Sequence, residues 1–381
     1  MNVHVRTSYA QADRLFPTRS AAFWYGLLGL ALLAAPFLLE SYYLSQLVFV
    51  LIYAIVGIAM NVLSGQAGQI SIGHAAFFAI GAYMGAVASN HEIPLPVYLV
   101  GAGAFTGLVG YLAGLPALRL HGIYLAIATL AFAFIVEEIL ARWEAVTNGN
   151  EGMMLFEPTV VGQTLGETSF YYLCLLVAVL VLLAAVNITR SPTGRAFLAI
   201  RDSETAARSM GIDTARYKTA AFAISAGFTG VAGVLYAHKL SFISPEMFSL
   251  LVSIDFVMII IIGGLLSIRG AIFGAIFMIM SDPLLILMKD ELPGLVGGLM
   301  GTVGIGGAVA DSVQAGLGRV LNAPGLKSLI FGLLIILFII FEPLGLDGRW
   351  LRIKAYLAQF PLYRPATGGR ARMYLKSERN R

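Results

Sequence analysis

Between residues 22 and 341 the chain is a succession of apolar runs, most of them about 20 residues long, separated by short polar or glycine-rich breaks. An α-helix rises about 1.5 Å per residue, so a run of that length crosses a hydrocarbon core of roughly 30 Å. The runs read as residues 22–39, 43–63, 77–88, 95–115, 123–140, 170–188, 219–237, 250–267, 271–288 and 328–341. They predict an all-α polytopic membrane protein of about ten transmembrane helices. With 58% hydrophobic and 12% charged residues and a mean hydropathy of +0.83, an ordinary soluble domain is excluded. The expected divisions are an N-terminal tail (1–21), a transmembrane domain (22–348) and a basic C-terminal tail (349–381).

One break differs from the others. Residues 64–76, SGQAGQISIGHAA, are too polar and glycine-rich for a lipid-facing helix. Irregular backbone at that depth is tolerated only inside protein or beside a watery cavity, which predicts a broken or re-entrant segment before the third helix. Asn61, Gln66, Gln69, Ser71, Gly73 and His74, with Thr129 and Asp255 on later helices, are the candidates for a translocation path. Hydrogen bonding between helices is the competing use of the same side chains. Small residues mark two packing faces: Gly73, Gly81 and Gly85 at multiples of four residues, and Ala226, Gly227, Gly230 and Gly233 on the seventh run. Asp282-Pro283 is expected to interrupt the ninth run near its end.

Charge sorts the connections. Arg190, Arg195, Arg201, Arg208, Arg216 and Lys218 fall in the central loop (189–218), and both tails are basic. The loop at 142–168 carries Glu144, Glu151, Glu157 and Glu167. Short Lys- and Arg-rich loops stay in the cytoplasm, which predicts a cytoplasmic N-terminus, central loop and C-terminus. The net charge of +4 is thus sorted by membrane side, implying lipid and not nucleic acid as the surrounding partner. Within the central loop a short helix is expected, with Ser203 as its cap, Glu204 in the first turn and Gly211 as its stop. Ala206, Ala207 and Met210 would form a small apolar face. Such a helix suits the groove of another protein; a solvated connector that only sets topology is the alternative.

Several stretches, in order, resemble a known family. They are GQAGQISIGHAAFFAIGAY (65–83), LRLHGIYLAIATLAF (118–132), TNGNEGM (147–153), SPTGRAFLAIRDSETAARSMGIDTARYKTAAFAISAGFTGVAGVLYA (191–237), ISPEMFSLLVSID (243–255), IIGGLLSIRGAIFGAIF (261–277) and GLLIILFIIFEPLGLDG (332–348). Together they are similar to the LivM-type permease subunit of branched-chain amino acid ABC transporters. The resemblance implies a subunit of an importer in a bacterial inner membrane. Its implied partners are a LivH-type sister permease, two cytoplasmic ABC ATPases and a periplasmic substrate-binding protein. It also implies that the central loop holds the coupling helix, with Arg201, Asp202, Ser203, Glu204, Ala207, Met210 and Gly211 at the ATPase. Two departures from the pattern are Leu266, where a glycine is usual, and a longer glycine-rich segment at 292–317.

The chain carries no chemistry of its own in motif form. It contains no GxxxxGK[ST], HExxH, GxSxG or CxxC string, and Cys174 is its single cysteine. No catalytic residues, metal site or bound cofactor are therefore expected, and ATP is used by the partner subunits. Two other functions fit the residues. One is a self-contained secondary transporter or channel that couples ions through Asp255 or His74. The other is an ABC permease of the same type for urea, amides or aromatic acids. A capped helix shown to the cytoplasm separates the first from an ABC permease, because a secondary transporter has no use for one.

Overall fold

The computed structural model describes residues 19–302 apart from 119, 121, 161 and 162, residues 325–359 apart from 343, and single positions between 313 and 323. In chain order the helices are α1 (Arg19–Leu38), α2 (Ser41–Met60), α3 (His74–Asn90), α4 (Leu95–Ala117), α5 (Ile123–Arg142), the single turn α6 (Glu144–Thr147) and α7 (Glu167–Arg190). They continue as α8 (Pro192–Asp202), α9 (Glu204–Ser209), α10 (Thr214–Leu240), α11 (Leu250–Gly263), α12 (Ile268–Thr302), α13 (Leu326–Phe341) and α14 (Gly345–Gln359). The protein is all-α and polytopic. Seven stretches are long and apolar enough to cross a membrane: Ser41–Gln66, Leu95–Pro116, Ile123–Arg142, Glu167–Arg190, Thr214–Leu240, Pro245–Gly263 and Ile268–Ile286. The apolar part of α1 (Ala22–Leu38), the 17-residue α3 and the 16-residue α13 are shorter. Among the described residues, seven of the ten expected runs thus have helices of spanning length, and the other three are shorter than that length.

The bundle is organised around α10, against which α2, α3 and α4 pack. Small residues set that packing. A Cβ on Gly81 of α3 would stand 2.1 Å from the Gly230 carbonyl oxygen, and one on Gly233 would stand 2.1 Å from that of Phe78. On the side facing α4, a Cβ on Gly110 would stand 2.2 Å from the Ala226 methyl. Backbones this close leave no room for larger side chains, the usual solution where lipid supplies no hydrophobic drive between helices. Gly73 does not belong to this face. It precedes α3 in a non-helical conformation and lies against α5, where a Cβ would come within 2.1 Å of the Thr129 carbonyl oxygen.

Further boundaries differ from the sequence reading. The helix begun by α12 runs on past Pro283 to Thr302, so no break falls at Asp282-Pro283. Most of the following glycine-rich segment lies outside the described residues, as do the tail residues 1–18 and 360–381. The first part of the basic tail is helical, as α14. Leu266 is 61% exposed, so the side chain in place of a glycine meets no packing conflict. Two short antiparallel pairings complete the fold: β1 (Met153–Met154) with β4 (Phe242–Ile243), and β2 (Thr159–Val160) with β3 (Gln163–Thr164).

Candidate functional site

The side chains of Asn61, Gln66, Gln69, Ser71 and His74 are buried, whereas Ile70 between them is exposed. After α2 the helix widens into a π-helical segment, Asn61–Gln66, and helix does not resume until His74. The Ala67 amide bonds back to the Val62 carbonyl at 3.2 Å, five residues away, as a widened turn requires. Gly68 follows with a φ of +67°, a conformation that costs glycine nothing. Ser64 Oγ then donates to the Gln69 carbonyl at 3.0 Å, and Gln69 Nε2 donates to the Ala67 carbonyl at 3.2 Å. Asn61 Nδ2 donates to the Leu265 carbonyl at 2.7 Å, across to the turn between α11 and α12. Asn61 Oδ1 and Gln66 Oε1 are buried acceptors that no donor among the described residues satisfies.

His74 links α3 to α10. Ser225 Oγ donates to the Ala59 carbonyl at 2.7 Å, so it accepts from the His74 Nε2–H at 2.8 Å. His74 Nδ1 then accepts from Ser71 Oγ at 2.9 Å, which fixes the neutral tautomer. Thr129 Oγ1 accepts from the Ile72 amide at 3.0 Å and donates to the Ala126 carbonyl at 2.9 Å. Ser253 Oγ accepts from the Ala75 amide at 3.1 Å. The structure therefore gathers Ser71, Gly73, His74 and Thr129 into one hydrogen-bonded cluster. It adds Ser225 and Ser253, which the sequence reading missed. Their only signal was a hydroxyl on an otherwise apolar helix, a common source of interhelical bonds. Asp255 lies elsewhere, half-buried on α11 within electrostatic reach of Tyr53 and Tyr236.

The central loop is a folded element. Ser191 caps α8, accepting from the Gly194 amide, and Pro192 stands at its first position. Phe197 and Ile200 bury the inner face of α8. Ser203 ends α8 and caps α9, accepting from the Ala206 amide at 3.3 Å. Gly211, at φ +83°, stops the turn, and the Ile212 amide closes on the Ala207 carbonyl at 3.0 Å.

Here the coupling residues separate. Ala207 is 3% exposed whereas Met210 is 82% exposed, so the expected apolar face divides. At six residues, α9 is too short to keep both on one side. Glu204 is held within the chain by Lys218 at 2.6 Å and Arg208 at 2.7 Å, and Lys218 is itself 2% exposed. Arg201 reaches inward, donating from Nη1 to the Gly65 carbonyl at 3.2 Å. Asp202, Ser203, Met210 and Gly211 remain on the outer surface.

At the other end of the bundle a cleft of about 980 Å³ opens between α5 and the 3₁₀ turn Pro245–Phe248. Its polar lining includes Glu137, Glu138, Arg142, Asn150 and Glu246. Arg142 and Glu138 form an ion pair one helical turn apart. The 27 residues of α10 separate this cleft from the central loop by about 40 Å.

Residues 42–339 match the family described as branched-chain amino acid transport system, permease component. The high-affinity branched-chain amino acid transport system permease protein LivM of Escherichia coli (strain K12) is 35% identical over 294 residues, which cover 70% of this chain and 69% of that protein. Its counterpart in Salmonella typhimurium (strain LT2) is 34% identical over 294 residues, with the same coverage. More distantly, the autoinducer 2 import system permease protein LsrC of Enterobacter sp. (strain 638) is 28% identical over 246 residues, 60% of this chain and 68% of that one. No solved structure matches the chain. A match over most of the chain, together with an all-α bundle carrying a folded central loop, places this protein in the family of permease components of branched-chain amino acid transport systems.

Proposed function

We propose that this chain is one membrane-spanning subunit of an ABC importer for branched-chain or related hydrophobic amino acids, driven by separate ATPase subunits. The observation that carries the reading is the central loop. Two capped helices close on their own chain and leave Met210 outermost, which suits docking into a partner's groove. The ATPases bind that surface in the cytoplasm, with both termini on the same side of a bacterial inner membrane. A LivH-type sister permease stands beside this chain, and a periplasmic binding protein delivers cargo at the acidic cleft. The path runs beside the π-helical segment, where the Asn61 and Gln66 amide oxygens offer acceptors that an amino acid's ammonium group can satisfy. Both ring nitrogens of His74 are already hydrogen-bonded, which favours an ATPase-driven conduit over a carrier that couples ions through that histidine.

The test is reconstitution with the sister permease, ATPases and binding protein. ATP-dependent uptake of leucine into vesicles is expected, and Met210→Cys in a Cys174→Ser background should be shielded from a maleimide by the bound ATPase. Uptake that ignores ATP, or equal labelling with and without ATPase, would sink the reading. Preferential uptake of urea, amides or aromatic acids would keep the mechanism and change the cargo.

A further inference from the structure

We propose that Arg201 is the positioning residue that passes movement of the central loop to the broken segment of the second span; this rests on the loop being the ATPase-docking element. The π-helical segment ends at Gln66, where the Ala67 and Gln69 amides take the Val62 and Leu63 carbonyls, and the Gly65 carbonyl takes its donor from a side chain. Arg201 supplies that donor from another element, its Nη1 donating to the Gly65 carbonyl at 3.2 Å. Its Nε and Nη2 both donate to Asp202 Oδ1, at 3.0 and 2.8 Å, which fixes the plane of the fork. The stem of the same side chain is equally engaged. A Cβ on Gly68 would stand 2.7 Å from Arg201 Cγ, so the backbone after the π-helical segment rests directly on it.

The opposite side of the segment is also held. A Cβ on Gly65 would stand 1.9 Å from the Leu265 carbonyl oxygen, which already accepts from Asn61 Nδ2 at 2.7 Å. The segment thus lies between the α11–α12 turn and Arg201. No flexible linker separates Arg201 from the docking helix. Asp202 ends α8, and Ser203 alone intervenes before α9 begins at Glu204. A push on α9 therefore arrives at the Gly65 carbonyl through one side chain, braced by Asp202 and Gly68, at a wide turn of the kind that often marks functional positions in helices.

The experiment uses the reconstituted transporter with Arg201→Met and Arg201→Lys. Methionine keeps much of the stem over Gly68 and loses the donor, whereas lysine keeps both a stem and a donor. Arg201→Met is expected to lower solute moved per ATP hydrolysed by about fivefold or more, a typical coupling between linked sites. The chain should still copurify with its ATPase. Arg201→Lys is expected to recover most of the lost ratio. A purely structural arginine would instead reduce the amount of assembled complex while leaving solute per ATP unchanged. An unchanged ratio in Arg201→Met, or equal losses in both variants, would overturn the proposal while the functional reading stands. If no ATPase copurifies with the wild-type chain, both fall.

Discussion

Along α10, Gly230 and Gly233 meet α3 with almost nothing but backbone between the two helices. A few residues away, between Asn61 and Ala75, the Ile72 amide, the His74 ring and the Ala75 amide donate to Thr129 of α5, Ser225 of α10 and Ser253 of α11. Both regions are mostly buried, yet they tolerate movement differently. A seam of glycines offers one close register, because any shift drives atoms into carbonyl oxygens or opens a void. Hydroxyls, an imidazole and a π-helical turn can exchange partners, each exchange costing about what one hydrogen bond is worth. In the importer proposed above, the seam is suited to move as a body and the polar break to deform.

The contrast is sharpest under substitution. Gly233→Leu sets a side chain against the Phe78 carbonyl, an obstacle of backbone that cannot rotate away. A loss of at least about 3 kcal/mol is expected, read as loss of folded, monodisperse protein in detergent. His74→Ala removes two hydrogen bonds and leaves Ser71 and Ser225 to find other partners. A cost of about 2 kcal/mol, a lower thermal midpoint and slower uptake are expected, with the folded yield preserved. Equal damage from the two variants would erase the distinction between the regions. Leu266→Gly, on the exposed turn between α11 and α12, serves as the control, and its stability should lie within about 0.5 kcal/mol of wild type.

The sequence revealed the parts of this fold that depend on local pattern. Apolar length marked the spans, small-residue spacing marked the face of α10, and Ser203 and Gly211 marked the ends of the loop helix. Direction and partnership were not legible, because they depend on residues far apart in the chain. His74 meets a serine 151 positions away, and no periodicity in either segment announces it. The resemblance put Arg201 and Glu204 at the ATPase, and the fold turns both inward onto Gly65 and Lys218. Ala207 was misplaced because a helix of six residues has too few turns for spacing to define one face. The ninth run illustrates the opposite limit. Proline is a poor guide to where a membrane helix stops when neighbours can satisfy the freed carbonyl, and α12 continues past Pro283.

The corner at Gly264 carries a consequence for synthesis. Gly264 turns at φ +121° with the Leu344 carbonyl against it, Gly345 at φ +64° lies on the Gly264 amide, and Arg269 pairs with Asp347 at 3.4 Å. One half of this corner leaves the ribosome about 80 residues before the other, a delay of roughly 4 to 16 seconds at about 5–20 residues per second. For that interval α11 and α12 sit in the bilayer with Arg269 unmatched and the turn unbraced. The segment that seats the Asn61 side chain through Leu265 is therefore among the last places to mature. Until residues 344–347 arrive, α11 and α12 are held by their contacts with each other and with α2.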